Sequence, residues 1–184
     1  MYNSLKGFLL LSCVVSLCLL AGCKKESPMD PGTPAGVSQA DIQKAFAVYG
    51  LSLLSCTIDN GSVTTNADMY HLRMRNGEST LLLDNVLLFS NSVPKSALQR
   101  MTYAGYTNNG TIVNGLTTVS VSYTGDLMHS TQTYAGTLVF SGDVALTMEQ
   151  HFSASLNNPT TAYSGYMLIN QVRYDFNQDG TIRF

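Results

Sequence analysis

The chain has 184 residues, a formal net charge of −2, and 37 serines and threonines against 22 charged residues. A chain this close to neutrality, with no basic run longer than Lys24-Lys25, lacks the positively charged surface of a nucleic-acid-binding protein. Its length is sufficient for a single core, since a domain of about 150 residues buries enough surface to fold without a disulfide or a metal.

The N-terminus has the order of a secretory signal: a charged head, a short apolar core, and small residues at the cleavage site. Lys6 supplies the charge, residues 8–20 the apolar core, and Ala21-Gly22 the small residues before Cys23. The apolar run is shorter than the roughly 20 residues that a helix needs to cross a bilayer. We therefore predict that residues 1–22 are a signal peptide that is removed.

Leu20-Ala21-Gly22-Cys23 resembles the lipobox of bacterial lipoproteins. The resemblance covers the signal region alone and implies that Cys23 receives diacylglycerol on its sulfur, is freed by cleavage before it, and is acylated on its new amino group. Two or three acyl chains hold a protein on a membrane essentially permanently. Lys24 stands where an Asp would retain an enterobacterial lipoprotein at the inner membrane, so the resemblance favours the outer membrane of the cell envelope. The alternative is an ordinary secretory signal with a chance cysteine.

Residues 23–36 are predicted to be the lipidated cysteine and a flexible tether, because their prolines, glycines and polar residues cannot build a core. The remainder, 37–184, is predicted to be one β-rich domain. Two cysteines leave with the signal and Cys23 takes lipid, so Cys56 is the one thiol left and no internal disulfide can form. We expect Cys56 to be a small buried residue and not a reactive thiol.

One helix is predicted at the start of the domain. Ser38 is a favourable N-cap, and Asp41 three residues later completes the pattern of a capping box. Gly50 is a plausible stop, although residues 51–54 could add another turn. We predict a helix over 39–49 that packs on one face of a sheet through Ile42, Ala45, Phe46 and Tyr49.

From Thr57 the hydrophobic period changes to two, which predicts strands. The alternation runs up to Asn76-Gly77, a strong signal for a hairpin turn. Residues 81–89 are apolar except for Asp84-Asn85, so they predict a strand buried on both faces or a chain folded at that pair. Residues 96–101 suggest one helical turn.

A Tyr-small-Gly triplet recurs in the second half at unequal spacings, which excludes a solenoid. The triplets begin at Tyr103, Tyr123, Tyr134 and Tyr163, and they fit a β-meander in which the tyrosine packs near a strand end and the glycine supplies a bulge or a turn. The strands between them alternate, with residues such as Tyr166 on the buried face and polar residues on a solvent-exposed face. The polar positions are Thr118, Ser120, Ser122, Glu149, His151, Gln171, Arg173 and Asp175.

Residues 175–182 copy the first eight positions of an EF-hand-type calcium loop, with Asp175, Asn177 and Asp179 as oxygen ligands and glycine at the sixth position. Such a loop needs a bidentate acid at position twelve, and the chain reaches the tenth. The favoured alternative is a type I turn over 177–180 with a glycine bulge, joining the two strands of a hairpin. We therefore predict no metal here and keep the three oxygen-bearing residues as weak calcium candidates.

No catalytic motif is found in the sequence. Ser92-Val93-Pro94-Lys95 has the Ser-x-x-Lys spacing of penicillin-recognising enzymes, but the further elements that such enzymes need are missing. His71, His129 and His151 have no partner at metal-ligand spacing. We predict no catalytic residue and no cofactor, and we favour a protein that is not an enzyme.

The predicted fold is mainly β, an antiparallel curved sheet or open barrel with the N-terminal helix packed on it; a two-sheet sandwich is the alternative. The leading functional hypothesis is a non-enzymatic envelope lipoprotein, anchored in the membrane at Cys23, whose polar sheet face or edge binds an envelope protein or polysaccharide. The second is a carrier or sensor of a small apolar ligand in a cavity between sheet and helix, and the third is a divergent hydrolase. The cavity of the second would be lined by Leu81, Leu83, Tyr123, Met148 and Phe152.

Overall fold

The structure is a computed structural model that describes residues 37–180 apart from 67, 126–128 and 158–159. The predicted signal peptide, the lipobox cysteine, the tether and residues 181–184 lie outside the described residues. One helix and nine strands are formed. They are α1 (Gln39–Leu54), β1 (Cys56–Asn66), β2 (Met69–Asn76), β3 (Leu81–Ser90), β4 (Val93–Asn108), β5 (Thr111–Tyr123), β6 (His129–Gly142), β7 (Leu146–Asn157), β8 (Thr160–Ile169) and β9 (Val172–Asp175).

All nine strands belong to one antiparallel sheet, and each strand pairs with its neighbours in the chain. This meander is the arrangement that alternating strands separated by short turns favour. The sheet is curved and not closed, with β1 and β9 at its two edges. The predicted mainly β fold, a curved antiparallel sheet with one N-terminal helix packed on it, is confirmed. The two-sheet sandwich is wrong, because the described strands form a single sheet.

Helix α1 begins as its sequence predicts. The hydroxyl of Ser38 accepts a hydrogen bond from the backbone N–H of Asp41 at 3.1 Å, and the Asp41 carboxylate accepts one from the Ser38 N–H at 3.1 Å. This capping box satisfies backbone N–H groups at the start of the helix. The helix continues to Leu54, past the predicted end at 49, because Gly50 keeps a helical conformation and Leu53 in the following turn packs into the core.

The inner face of the sheet is the one that contacts α1. Two polar contacts position the helix: the Ser52 hydroxyl lies 2.8 Å from the hydroxyl of Tyr103 on β4, and Lys44 forms an ion pair with Asp143 at 3.1 Å. Most of the stabilisation comes from the apolar face of the helix, since burying a large apolar side chain contributes roughly 1.5–3 kcal/mol. That face consists of Ile42, Ala45, Phe46 and Tyr49, all buried as predicted.

Two predictions for β3 and β4 are wrong. Residues 96–101 lie within β4, where pairing with a strand on either side overrides any helical preference. The apolar run 81–89 is neither folded at Asp84-Asn85 nor buried on both faces, since β3 continues through the pair and Leu88 is 43% exposed. Asn85 is accommodated on the inner face because its side-chain oxygen accepts a hydrogen bond from Gln99 at 2.7 Å.

The predicted hairpin after β2 is confirmed, but its loop is longer than a two-residue Asn-Gly turn. Residues 77–80 separate the strands, and Ser79, with a φ of 57°, takes the left-handed conformation that side chains rarely adopt. The side-chain oxygen of Asn76 accepts a hydrogen bond from the Leu81 N–H at 2.9 Å, and its amide donates to the Thr80 hydroxyl at 2.8 Å. The asparagine thus stabilises the longer loop from inside.

The glycines of the Tyr-small-Gly triplets have different roles. Gly105, with a φ of 75°, lies at a register shift in β4, and Gly125 lies in the turn after β5, as predicted. The prediction is wrong for Gly136 and Gly165, which lie inside β6 and β8 without a register shift. At Gly136, with a φ of 132°, a Cβ atom would collide with the carbonyl oxygen of Leu116 on β5, so glycine is needed at this position of β6.

Candidate functional site

The outer face of the sheet, opposite the face that contacts α1, carries an array of hydroxyl groups on β5 to β8. The alternation of these strands places serine or threonine at about half of the outer positions, while the residues between them enter the core. Every one of these hydroxyl side chains is exposed or half-buried. We call the array the hydroxyl surface; it consists of Thr118, Ser120, Ser122, Thr131, Thr133, Thr137, Ser153, Ser155 and Ser164.

Neighbouring groups of the hydroxyl surface are close enough to bond across strands. The hydroxyl oxygens of Thr133 and Ser153 lie 3.1 Å apart, and those of Thr131 and Ser155 lie 3.5 Å apart. Because a hydroxyl both donates and accepts, such a surface offers a partner many adaptable hydrogen bonds. It carries no group that titrates near neutral pH, so its chemistry suits binding and not acid–base catalysis.

A ladder of charged and aromatic side chains borders the hydroxyl surface on β7 to β9. The guanidinium of Arg173 lies 4.1 Å from the ring centroid of Tyr166, and that ring stacks on His151 at a centroid distance of 4.9 Å. Arg173 also donates two hydrogen bonds, of 2.9 and 2.8 Å, to one carboxylate oxygen of Asp175. These hydrogen bonds raise the pKa of Arg173. The ladder therefore holds a permanent cation over an aromatic ring at the edge of the hydroxyl surface.

His151 and Glu149 of the ladder are not hydrogen-bonded to each other. The Nε2 atom of His151 lies 3.6 Å from a carboxylate oxygen of Glu149, a distance longer than a hydrogen bond. A general base acts through groups within hydrogen-bond reach. In this arrangement His151 contributes an exposed aromatic ring beside a carboxylate, which suits recognition.

A second charged cluster lies on the outer face of β2 and β3. One carboxylate oxygen of Asp84 accepts a hydrogen bond from Nε of Arg73 at 3.0 Å and lies 3.3 Å from Nε2 of His71. Partial burial raises the pKa of Asp84, but the hydrogen bonds from Arg73 and His71 outweigh it, and the net pKa is lowered. Asp84 is therefore ionised at neutral pH and links β2 to β3.

The residues predicted to line an apolar cavity come together on the inner face. Four of the five are buried, and the ring of Phe152 stacks on that of Tyr134 with centroids 4.5 Å apart. Tyr123 is half-buried, and this burial raises the pKa of its hydroxyl. All five belong to one apolar cluster or pack against it. They are Leu81, Leu83, Tyr123, Met148 and Phe152.

Three buried side-chain oxygen atoms of the inner face have no hydrogen-bond partner in the described part of the chain: Oγ1 of Thr111 and of Thr117 on β5, and Oε1 of Gln150 on β7. Thr117 and Gln150 lie close together, because Gly136 on β6 is the register partner of each, and their side chains flank a position that has no side chain. An unpaired buried polar atom costs about 1–3 kcal/mol. A water molecule or the polar end of a small ligand between them would remove this cost.

The C-terminal segment forms a tight turn, as predicted. The N–H of Gly180 donates a hydrogen bond to the carbonyl oxygen of Asn177 at 2.9 Å, and Gly180 has a φ of 84°. The carbonyl oxygen of Gln178 accepts a hydrogen bond from the N–H of Tyr163 at 3.0 Å, which ties the turn to β8. The second strand of the predicted hairpin would lie at 181–184, outside the described residues.

The three weak calcium candidates are spread along this segment. Asp175 lies at the end of β9, where its carboxylate is bound by Arg173. Asn177 begins the turn and Asp179 lies within it. Across 37–180, with the gaps given above, no three His, Cys, Asp or Glu side chains form a group that could hold a metal ion.

Two further sequence features have structural roles. Ser92 lies in the turn before β4 with a φ of 63°, and Lys95 lies within β4, so they do not occupy successive turns of a helix as the Ser-x-x-Lys motif requires. Cys56 is only partly buried and packs against the core, with its sulfur 3.9 Å from the carbonyl oxygen of Ser52.

The sequence predicts the polar face but not the ladder. All eight polar residues predicted to face solvent are exposed or half-buried. Tyr166, however, was expected on the buried face, and it lies on the outer one between His151 and Arg173. The buried set of β8 is Tyr163, Met167 and Ile169, whose spacing was the available signal.

Comparison with known proteins adds no family to this picture. No protein-family model, curated protein or solved structure matches the chain. Within the described range, no helix has the length and apolarity to span a membrane.

Proposed function

We propose that this protein is a lipid-anchored binding module of the bacterial cell envelope, without enzymatic activity. The lipobox Leu20-Ala21-Gly22-Cys23 and the apolar run before it support the anchor. Lys24 directly after the cysteine supports the outer membrane as the location. The hydroxyl surface supports the binding role.

The hydroxyl surface is the observation that carries this proposal. Threonine is a strong strand former, so strand propensity alone can explain its presence. Serine is not a strong strand former, yet five of the nine groups are serines. Charged residues would keep the surface soluble equally well. A neutral hydroxyl array is better suited to lie against a partner that is itself rich in hydrogen-bonding groups, such as an envelope polysaccharide or a polar protein surface. Arg173 and Glu149 at its border add charged contacts.

The anchor is tested by metabolic labelling with a clickable fatty acid. Labelling of the natural chain, and none of a Cys23→Ser variant, is the expected result. Fractionation of the membranes should then place the labelled protein with the outer membrane. Equal labelling of both chains would show that the cysteine is not the acylated residue.

The binding role is tested with envelope fragments and the chain from residue 23 onward carrying Cys23→Ser. Co-sedimentation should fall about tenfold in the double variant Ser120→Ala, Thr133→Val, because the two hydroxyl groups that are removed together contribute hydrogen bonds of about 1.4 kcal/mol. Thr102→Val on β4, an exposed outer position opposite Leu116 and outside the hydroxyl surface, is the matched control. Digestion of the fragments with protease or with glycan hydrolases distinguishes a protein partner from a polysaccharide. Unchanged sedimentation of the double variant would remove the hydroxyl surface from the proposal.

A carrier or sensor of a small ligand is the second candidate, and the unpaired oxygens of Thr117 and Gln150 favour it. A ligand with an apolar body and one polar end would suit an apolar interior in which these two unsatisfied oxygens lie on either side of Gly136. A screen of small amphiphiles by thermal shift is the test. A ligand of this function should raise the melting temperature of the natural chain and have a smaller effect on Gln150→Met. Equal shifts in both chains would exclude this interior position.

A further inference from the structure

The outer face of β2 to β4 has a different chemistry from the hydroxyl surface. Val86 and Leu98 are direct partners across β3 and β4. Leu88 is 43% exposed and Leu98 is 40% exposed, and Leu116 and Val139 on the outer face of β5 and β6 are exposed to a similar extent. The outer face of β2 to β4 differs in that three arginines lie beside its exposed leucines. We call this region the leucine–arginine surface; it consists of Val86, Leu88, Leu98, Arg73, Arg75 and Arg100.

The arginines make this surface locally positive. Arg73 and Arg100 are the register partners of Asp84 on its two sides, so one carboxylate stands against two guanidinium groups, and Arg75 on β2 adds a third. On the outer face of β7 to β9 the balance is reversed, with two carboxylates against one guanidinium. The three arginines and Asp84 together carry +2, whereas the whole chain carries −2.

We infer that the leucine–arginine surface rests on the anionic phospholipid headgroups of the leaflet that holds the acyl anchor. Arginines near a membrane surface are attracted by anionic headgroups, and exposed leucines between them enter the interfacial layer. The inference depends on the proposed lipidation of Cys23 for its leaflet, but the chemistry of the contact is that of the domain itself.

The tether permits this contact. Residues 23–36 would span about 46 Å fully extended, and about 20 Å as a flexible chain. The domain can therefore turn either side of its sheet towards the membrane, and the surface that is basic and apolar makes the more favourable contact. The sheet is curved, and β7 lies four strands away from β3. A domain that rests on β2 to β4 therefore leaves the hydroxyl groups of β6 to β8 accessible to a partner, while Thr118 and Ser120 on β5 lie beside the contact as register partners of Arg100 and Leu98.

The test compares two exposed outer threonines, Thr102 on β4 beside Arg100 and Thr133 on the hydroxyl surface. The lipidated chain, with Cys56→Ser to remove the remaining thiol, carries a fluorophore at Thr102→Cys or at Thr133→Cys. It is reconstituted into vesicles of phosphatidylethanolamine and phosphatidylglycerol that contain a headgroup nitroxide quencher. Quenching at position 102 should exceed that at 133 by at least about twofold, since one surface touches the headgroups and the other does not.

Variants of the leucine–arginine surface and of the outer face of β6 to β9 show which side chains cause the quenching at position 102. Leu98→Ser with Arg100→Gln should bring the quenching at position 102 down towards that at 133, because each arginine near the surface changes the affinity about fivefold. The matched pair Val139→Ser with Arg173→Gln, also exposed and on the outer face, should leave it unchanged. Equal quenching at both positions, or equal effects of both pairs, would overturn the inference.

A second experiment distinguishes failure of the proposed anchor from failure of the membrane contact. If fatty-acid labelling shows that Cys23 carries no lipid, the same fluorescent chains are mixed with an excess of the anionic vesicles. Selective quenching at position 102 that disappears with neutral phosphatidylcholine vesicles would then support the membrane contact and reject the anchor. Absence of selective quenching would reject both.

Discussion

The inner and outer faces of this sheet are built from the same nine strands, yet their side chains are held in different ways. On the inner face, the ring of Phe152 packs between two other rings. Its centroid lies 4.5 Å from that of Tyr134 and 4.6 Å from that of Phe176, so its position is fixed by close packing. On the outer face, hydroxyls and charged groups bond to one another and remain in contact with water. The inner face therefore determines whether the chain folds, and the outer face determines what it can bind. The effect of a substitution should therefore depend on which face its position occupies.

The strongest test of this difference uses two adjacent residues of β7. Phe152→Ala removes a buried ring and should lower the free energy of unfolding by about 3–5 kcal/mol. His151→Ala, one residue earlier on the outer face, loses a stacked pair with Tyr166 that contributes about 1 kcal/mol or less. Denaturant unfolding of both variants measures the difference. Equal destabilisation would contradict the assignment of the two faces.

The backbone of the inner face is tested at Gly136. Gly136→Ala forces a side chain into a conformation that costs about 1–3 kcal/mol and against the backbone of β5, so we expect a loss of about 2–4 kcal/mol. Gly77→Ala is the matched control, because a Cβ there would meet nothing within 4 Å. Thermal unfolding should show little change for the control. A mild effect at Gly136 would mean that β5 and β6 separate easily.

The alternation of the sequence made the two faces predictable, but not the contacts within them. Period-two patterns and turn signals are local, so the meander, the helix start at Ser38 and the exposed set from Thr118 to Asp175 followed from them. Which residues meet across strands depends on register. The stack of Tyr166 on His151 could not be derived before the register of β7 and β8 was known.

Tertiary contacts account for the remaining differences. Gly50 looked like a helix stop, but packing of the next turn extends α1. Residues 96–101 have a mixed pattern that only pairing with β3 and β5 resolves as strand. The unpaired oxygens of Thr117 and Gln150 could not be predicted from the sequence either, because the hydrogen-bond partners of a polar residue at a core position depend on its neighbours in space.

A smaller effect is expected at the C-terminal turn, where the hairpin and calcium interpretations differ. Gly180→Val should lower the stability by about 1 kcal/mol or more, because a β-branched residue fits a positive φ poorly. A Cβ at this position would also lie 2.7 Å from the ring of Tyr163. Asp175→Ala, on the exposed side, should change it by about half a kcal/mol at most. Thermal unfolding of the variants measures both.

Adding calcium tests the calcium-loop interpretation on the same residues. We expect the melting temperature to stay constant as calcium is added to about millimolar concentration, in the range of weak extracellular sites. A rise of several degrees that is lost in both Asp175→Ala and Asp179→Ala would make this turn a metal site and overturn its assignment as a plain hairpin turn.

A small effect that depends on pH should come from the outer-face cluster around Asp84. Hydrogen bonds from Arg73 and His71 hold the pKa of Asp84 below its ordinary value, which is about 3.9 in an unfolded chain. A carboxyl group with a lowered pKa contributes stability above its unfolded pKa and loses that contribution as the pH falls through its folded pKa. At pH 7, Asp84→Asn should therefore lower the free energy of unfolding by about 0.5–1 kcal/mol, a range set by the solvent screening of a partly exposed pair.

The difference in the free energy of unfolding between the natural chain and Asp84→Asn should shrink as the pH falls below about 4. Denaturant unfolding at several pH values measures this change. Arg73→Gln is the companion variant: in the Asp84→Asn background it should have a smaller effect than in the natural chain, because the ion pair is already absent. A difference that persists unchanged at pH 3 would show that Asp84 acts through packing and not through its charge. The outer face would then contribute to folding in the same way as the inner one, and the distinction between the two faces would fail at this site.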